Sequence, residues 1–196
     1  MMSYSLRVTL LILVLLLIST NSFSRRFSND KYTTKYDVYF RKYSKRYFAG
    51  SIDWQWFKAQ ATTESNLNNE AKSWVNAKGV MQVMPATFRS LKSKVTDLGD
   101  ITDPKWNIAA GIYYDRKMWN YWKAERPFDD KLSFMFASYN AGAGTILRAQ
   151  KVCVKHNLNE NLWNSVRQVS PKVRKWHDKE TLRYIDKIFL FKGEMK

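Results

Sequence analysis

Apolar residues recur at intervals of three or four along most of the chain, and this spacing predicts α-helices joined by short loops. After position 50, the first helix is predicted over residues 54–64, with Ser51 or Asp53 as its N-terminal cap. A helix over 85–91 begins at a proline, and a helix over 104–122 begins just after an aspartate, at another proline. Both starts are expected because proline suits the first helical position.

The second half of the chain continues the helical pattern. Asp129 is the predicted cap of a helix that ends at the turn 140–144, where two glycines favour a bend in the backbone. Further helices are predicted around 146–154 and 162–166, from Ser170-Pro171 onward, and through Leu182, Ile185 and Phe189. The apolar segment 79–84 is short enough to form a strand. The pattern therefore predicts a mainly α fold with at most a very small β-sheet.

Residues 1–24 have the features of a secretory signal peptide. A weakly basic head ends at Arg7, an apolar run follows over 8–18, and small residues Ser22 and Ser24 precede the predicted cleavage point. Eleven helical residues span about 16 Å, well short of the roughly 30 Å of a bilayer core, which favours a cleaved signal over an uncleaved anchor. We expect export to the periplasm or cell envelope, with membrane association if the segment is retained.

The composition narrows the kind of protein further. Eleven Phe, eleven Tyr and eight Trp can build a core, so a wholly disordered chain is excluded. Cys153 is the single cysteine, which excludes an intramolecular disulfide and a cysteine-based zinc cluster. The two histidines, His156 and His177, leave little material for a metal site. We expect no metal, no cofactor and a monomer, with the catalytic domain at residues 51–196.

Residues 25–50 form a basic, tyrosine-rich segment that is predicted to be helical. The chain holds 33 Lys and Arg against 17 Asp and Glu, a formal net charge of +16, which attracts polyanions. The tyrosines of this segment share one helical face: Tyr32, Tyr36, Tyr39, Tyr43 and Tyr47. We expect that face to pack on the domain, rather than to stack nucleic-acid bases. Export also argues against nucleic acid, and leaves an anionic membrane or wall-polymer surface as the expected partner.

Glu64 is the first candidate for chemistry, because it ends an apolar helix and enters an asparagine-rich loop. A carboxylic acid pressed against Trp, Met and Tyr side chains loses solvation, so its pKa rises. A general acid that works near neutral pH requires such a shift. Taken alone, a glutamate at a helix end is usually a solvated surface residue. Nearby amide and hydroxyl groups of Gln82, Tyr139 and Asn140 could hold the hydroxyl and acetamido groups of a sugar.

Four blocks in a fixed order carry a family resemblance. They are Glu64–Pro85 with its Glu-Ser and Gly-Val-Met-Gln-Val-Met-Pro, Asp103–Gly111, Phe136–Gly142 with its Tyr-Asn-Ala-Gly, and Glu180–Ile185 with its Glu-Thr-x-x-Tyr. Together they resemble the family 1 lytic transglycosylases, the soluble and membrane-bound murein-cleaving enzymes with a lysozyme-like fold. The likeness extends over roughly 52–191. Asn76 replaces a usual glycine, Leu67 stands where an aromatic is common, and the proline that often precedes the last block is missing.

The resemblance implies a peptidoglycan lytic transglycosylase. Glu64 would protonate the oxygen between N-acetylmuramic acid and N-acetylglucosamine and then act as a base. The acetamido and 6-hydroxyl groups of the substrate would replace a second carboxylate and leave a 1,6-anhydromuramoyl end. The residues implied to line the glycan groove are Ser73, Gln82, Met84, Tyr139 and Glu180, with Asn140 and Tyr184 as further candidates. Ser65, beside the acid, is a candidate for orienting it.

Two alternatives remain open at this stage. A hydrolase of the goose-type lysozyme kind would use the same glutamate with water as the acceptor, and Asp97, Asp100 and Asp103 are candidates for holding that water. A non-catalytic glycan-binding module of the envelope would keep the groove but would have no need of Glu64.

Overall fold

The computed structural model describes residues 32–195, so the predicted signal peptide and residues 25–31 of the basic segment lie outside the described residues. The described part contains eight α-helices and one 3₁₀ turn. These are α1 (Asp37–Phe48), α2 (Trp54–Ser65), α3 (Pro85–Lys92), α4 (Pro104–Tyr121), α5 (Phe128–Ala141), α6 (Ala143–Lys155), α7 (Trp163–Val169), the 3₁₀ turn Ser170–Lys172, and α8 (Asp178–Glu194). None of these helices combines the length and the apolar character that a membrane crossing requires.

The helix starts follow local chemistry where the sequence supplies a cap. The Asp53 carboxylate accepts a hydrogen bond from the Gln55 backbone N–H at 3.1 Å, so Asp53 rather than Ser51 caps α2. In the same way, Asp103 accepts from the Lys105 N–H at 2.8 Å and caps α4. Each cap satisfies one of the backbone donors that a helix leaves unpaired at its first turn.

Three local predictions are wrong. Asp129 does not cap α5, because the helix already begins at Phe128 and Asp129 lies in its first turn, where a negative charge suits the helix dipole. The tyrosine stripe is not helical throughout, since α1 begins only at Asp37. The segment 79–84 is not a strand: within residues 32–195 the β-structure is confined to isolated bridges. The positive φ angles of Gly79 (75°) and Gln82 (45°) bend that segment away from an extended path.

Helix α5 occupies the centre of the fold. Seven consecutive residues of this helix, 132–138, are buried, so it is enclosed on all sides rather than on one face. It packs against α4, α6 and α8, while α2 packs against α8 and α1. The end of α2 and the first turns of α8 thus meet beside the central helix, and this meeting point holds the candidate site.

Helix α1 packs on α2 and α4 through its apolar and aromatic face. Tyr43 of the predicted stripe is buried, and so are Phe40 and Phe48, which the stripe does not include. The basic residues of α1 are exposed: Arg41, Lys42, Lys45 and Arg46. An ion pair of 2.7 Å between Lys58 Nζ and Asp37 Oδ1 ties α1 to α2. The division of the chain between residues 50 and 51 stays a prediction.

Replacing Phe40 by alanine should reduce the free energy of unfolding by about 3–5 kcal/mol, because the ring is fully buried and leaves a cavity. Chemical denaturation monitored by circular dichroism measures this loss. Val38→Ala on the same helix is the matched control, since Val38 is 62% exposed and should change stability little. Equal losses in the two variants would contradict the packing of α1 described above.

Candidate active site

Glu64 lies in the last turn of α2 and contacts Tyr184 of α8. The Tyr184 hydroxyl donates a hydrogen bond to Glu64 Oε1 at 2.6 Å, across 120 positions of the sequence. Tyr184 is only 6% exposed, so the contact is shielded from water. The glutamate is thereby held in one orientation, with its second carboxyl oxygen free of this bond.

The surroundings of Glu64 favour its protonated form. Burial raises the pKa of Glu64 to about 8. The hydrogen bond from Tyr184 opposes this shift because it stabilises the carboxylate, whereas the negative charge of Glu180 adds to it. At neutral pH most molecules therefore carry a proton on Glu64, which can be donated to a bound group.

An open cleft of about 360 Å³ gives access to Glu64. It is lined by Thr63, Glu64, Asn140, Glu180, Arg183, Tyr184 and Lys187. A second cavity of about 210 Å³ shares Asn140 and Glu180 with the first and continues past Trp176 and His177. The two together form an elongated, polar cleft, a shape that suits an extended chain rather than a compact ligand.

Asn140 is held in this cleft by a chain of hydrogen bonds. The indole N–H of Trp176 donates to Thr181 Oγ1 at 2.9 Å, and the Thr181 hydroxyl donates to Asn140 Oδ1 at 2.8 Å. The order of donors fixes the amide so that its oxygen points to Thr181. Glu180, by contrast, is exposed at the cleft.

The Ser65 hydroxyl bonds the end of α2 to the loop that follows it, and not to the Glu64 carboxyl group. Its hydroxyl donates to the Val80 carbonyl at 2.8 Å and accepts from the Asn68 N–H at 3.1 Å. Tyr139 of α5 acts on the same loop, because its hydroxyl donates to the Met81 carbonyl at 2.7 Å. Burial, with a smaller contribution from the charge of Glu64, raises the pKa of Tyr139 well above its usual value.

The remaining predicted site residues, Ser73, Gln82 and Met84, lie on the loop 66–84 and not among the residues that line the cleft at Glu64. Gln82 Nε2 donates to the carbonyls of Ala71 and Gly79, and Ser73 Oγ accepts from the backbone of its own turn. Met84 is 39% exposed. In the free protein the first two therefore shape the loop, and their contact with a glycan stays a prediction.

Asn107 of α4 holds this loop in place. Its Oδ1 accepts from the Met81 N–H at 2.8 Å, and its Nδ2 donates to the Lys78 and Ile101 carbonyls at 2.8 and 3.0 Å. A side chain at Gly79 would place its Cβ only 2.6 Å from Asn107 Nδ2, so glycine is required there. The loop therefore has a fixed position relative to α2 and α4.

Sequence reasoning missed four residues near Glu64. Arg183 and Lys187 line the cleft one helical turn apart, on the face of α8 that carries Glu180 and Tyr184. The spacing 180, 183, 184 and 187 is the signal that could have found them. The other two, Gln60 and Asp115, are buried polar residues on helix faces that otherwise look apolar, and the sequence holds no local signal for them.

The family model described as Transglycosylase SLT domain matches residues 39–161, more than half of the chain. The chain belongs to this transglycosylase family. Among curated relatives, membrane-bound lytic murein transglycosylase F of Shewanella halifaxensis is 30% identical over 182 residues, covering 87% of this chain and 36% of the relative. The protein of the same name from Yersinia enterocolitica is 32% identical over 123 residues, covering 63% and 24%. The SLT chain thus spans about a third or less of these relatives.

Solved structures show the same fold. The 70 kDa soluble lytic transglycosylase of Escherichia coli matches with a TM-score of 0.59 and 24% identity, over 84% of this chain and 24% of that one. An inactive glutamate-to-glutamine mutant of the lytic transglycosylase Slt of Pseudomonas aeruginosa matches with a TM-score of 0.66 and 19% identity, over 88% and 26%. The mainly helical, lysozyme-like fold implied by the resemblance is confirmed for this SLT domain.

Replacing Glu64 by glutamine should change how the stability of the SLT domain depends on pH. The folded protein binds a proton at Glu64 up to pH about 8, whereas an unfolded chain releases it near pH 4.5. Between these values the folded state binds more protons, so the wild type loses roughly 1.4 kcal/mol of stability for each unit of rising pH. Glu64→Gln removes this loss, and denaturation at pH 5 and 8 measures it. The exposed Glu125→Gln, away from the cleft, is the control. Equal pH slopes in wild type and Glu64→Gln would contradict the shift.

Replacing Tyr184 by phenylalanine should raise the pKa of Glu64 further, because the hydrogen bond that stabilises its carboxylate is lost. Carboxyl ¹³C NMR of a glutamate-labelled sample measures that pKa directly. Loss of a hydrogen bond to a charged group should also slow any step that ionises Glu64, roughly ten- to a hundredfold. Tyr121→Phe, at an exposed tyrosine, is the matched control. A lowered Glu64 pKa in Tyr184→Phe would reject the assigned contact.

Proposed function

We propose that this protein is a peptidoglycan lytic transglycosylase that acts as a monomer, without metal or cofactor. The observation that carries the proposal is a glutamate whose pKa is raised to about 8 at the floor of an elongated polar cleft. Membership of the transglycosylase family and curated relatives that are named lytic murein transglycosylases support the substrate. The inactive glutamate-to-glutamine mutant of the Pseudomonas aeruginosa protein supports the need for one acidic residue.

In the proposed reaction Glu64 donates its proton to the oxygen that links N-acetylmuramic acid to N-acetylglucosamine. The bond from this oxygen to C1 of the muramic acid breaks, and the neighbouring acetamido oxygen stabilises the positive charge left at C1. The 6-hydroxyl oxygen of the same sugar then bonds to C1, and its proton returns to Glu64. The product carries a 1,6-anhydro ring, and no water is consumed.

Tyr184 has a defined part in this cycle. Its hydroxyl donates to Glu64 Oε1 at 2.6 Å in the free protein. The bond strengthens when Glu64 becomes a carboxylate, because a charged acceptor binds a donor more strongly than a neutral one. Tyr184 therefore supports the half of the cycle in which Glu64 is a base.

The other predicted site residues are assigned to substrate binding and to the order of the site. Asn140 and Glu180, which line the cleft, are proposed to bind sugar hydroxyl and acetamido groups. Ser73, Gln82 and Met84 on the loop 66–84 are proposed to bind a more distant part of the strand. Ser65 and Tyr139 are proposed to hold that loop in a fixed position beside Glu64.

We also propose that the protein acts in the cell envelope after export by the predicted signal peptide. Curated relatives carry the description membrane-bound, which supports an envelope location. The exposed cations of α1, with the net charge of +16, support attraction to anionic wall polymers or lipid head groups. The nucleic-acid alternative has no motif to support it.

Digestion of purified peptidoglycan, with mass spectrometry of the glycan ends, tests the reaction. We expect 1,6-anhydromuramoyl ends and no incorporation of ¹⁸O from labelled water. Reducing ends that carry ¹⁸O would instead establish the hydrolytic, goose-lysozyme-like alternative, for which Glu180 in the same cleft could hold the water.

The Glu64→Gln variant should form product at least about a thousandfold more slowly than the wild type, because the proton donor is lost. The variant should still bind insoluble peptidoglycan. Undiminished turnover by Glu64→Gln would remove Glu64 from its proposed role, whereas a wild type that binds but never cleaves would reject the enzyme assignment.

A further inference from the structure

Beneath Glu64 lies a buried polar pair to which the proposed reaction gives no role. Gln60 of α2 and Asp115 of α4 are both completely buried. Gln60 Nε2 donates a hydrogen bond of 3.3 Å to Asp115 Oδ1. Gln60 precedes Glu64 by four positions on the same helix, so the pair lies one helical turn below the acid.

Two oxygen atoms of this pair have no partner in the described structure. They are Gln60 Oε1 and Asp115 Oδ2, and both are inaccessible to solvent. If Asp115 were ionised, both orphan atoms would be acceptors, and neither could satisfy the other. A buried carboxylate with one neutral donor would also carry the full cost of desolvating a charge.

The titratable groups that interact with Asp115 offer it no positive charge. They are Glu64 from α2, Tyr139 from α5, Tyr184 from α8, and Tyr114 from its own helix α4. Each of these is neutral or negative. Within the described part of the chain, therefore, nothing in this set stabilises a carboxylate at position 115.

A protonated carboxyl group would satisfy both orphan atoms with a single hydrogen. An acid and a primary amide have complementary edges: the amide N–H donates to the acid carbonyl oxygen, and the acid O–H donates to the amide oxygen. We propose that Asp115 retains its proton at neutral pH and forms this cyclic, doubly hydrogen-bonded pair with Gln60. Burial, which raises the pKa of Asp115 well above its usual value, acts in the same direction.

This pair has a consequence for the reaction, and that part rests on the proposed function. Glu64 must become a carboxylate between giving up its proton and recovering it. A second carboxylate one turn away would oppose that ionisation, since two like charges in a buried site repel strongly. A neutral Asp115 removes this opposition. The neutral pair of Asp115 and Gln60 thus lets Glu64 alternate between acid and base.

Carboxyl ¹³C NMR of a protein labelled at aspartate tests the protonation state without any assay of activity. At pH 7 we expect one aspartate carboxyl carbon at the chemical shift of a protonated acid, and this signal should be missing from Asp115→Asn. If every aspartate carboxyl carbon in the wild type has the shift of an ionised group at pH 7, the proposal is wrong. Because the wild type alone decides this point, the test survives a variant that fails to fold.

Thermal unfolding at two pH values supplies the second readout. Asp115→Asn keeps a cyclic pair, now between two amides, but no longer needs a proton. Its melting temperature should exceed that of the wild type by several degrees at pH 8, and this gain should shrink towards pH 4. Asp186→Asn, at an exposed aspartate paired with Arg167, should show no such gain. A difference between Asp115→Asn and wild type that does not depend on pH would overturn the proposal.

The pH profile of peptidoglycan cleavage tests whether Asp115 is neutral while Glu64 gives up and recovers its proton. The alkaline limb reports loss of the Glu64 proton, and in Asp115→Asn it should keep the wild-type midpoint, because the pair stays neutral. A midpoint moved to lower pH would mean that a charge at Asp115 had been removed, which contradicts the proposal. Should the wild type give no cleavage at all, the proposed function fails, whereas the NMR result still decides the state of Asp115.

Discussion

The contact between Tyr184 and Glu64 is the constraint on which the rest of the site depends. Glu64 stands at the end of a helix, where a glutamate would ordinarily extend into water. Helix α8 covers it and supplies the Tyr184 hydroxyl at 2.6 Å. Since the two residues are 120 positions apart, the raised pKa of Glu64 follows from tertiary packing and not from the sequence next to it. Glu64 therefore keeps its proton at neutral pH only in the folded chain.

A second constraint fixes the loop 66–84 beside this acid. Ser65 from α2, Asn107 from α4 and Tyr139 from α5 each bind a backbone group of that loop, and each of these bonds is 2.7 or 2.8 Å long. Side chains from three helices therefore hold this loop, and they satisfy four of its backbone groups without a sheet. Any movement of α4 or α5 would be passed to the loop and so to the neighbourhood of Glu64.

Features that depend on residues within one helical turn were predicted correctly from the sequence. The starts of α2 and α4 depend on Asp53, Asp103 and Pro104, which act within one turn. The segment 79–84 was predicted wrongly because its bends depend on Asn107, more than twenty positions away. The candidate acid and its cleft were predicted through the family resemblance, which encodes long-range packing that no single helix reveals. Asp115 escaped prediction because its partner lies 55 positions earlier in the chain.

The positive charges of the protein are placed so that they can attract acidic polymers without lowering the pKa of Glu64. A basic protein is drawn to acidic polymers, but a cation close to Glu64 would stabilise its carboxylate and lower its pKa. Arg183 and Lys187 lie at the cleft but are exposed, where water screens them, and the pKa of Glu64 is set by burial, Tyr184 and Glu180. Beneath the acid, the groups that face Asp115 carry no positive charge. Positive charge can therefore act on a substrate at the rim while the buried carboxyl retains its proton.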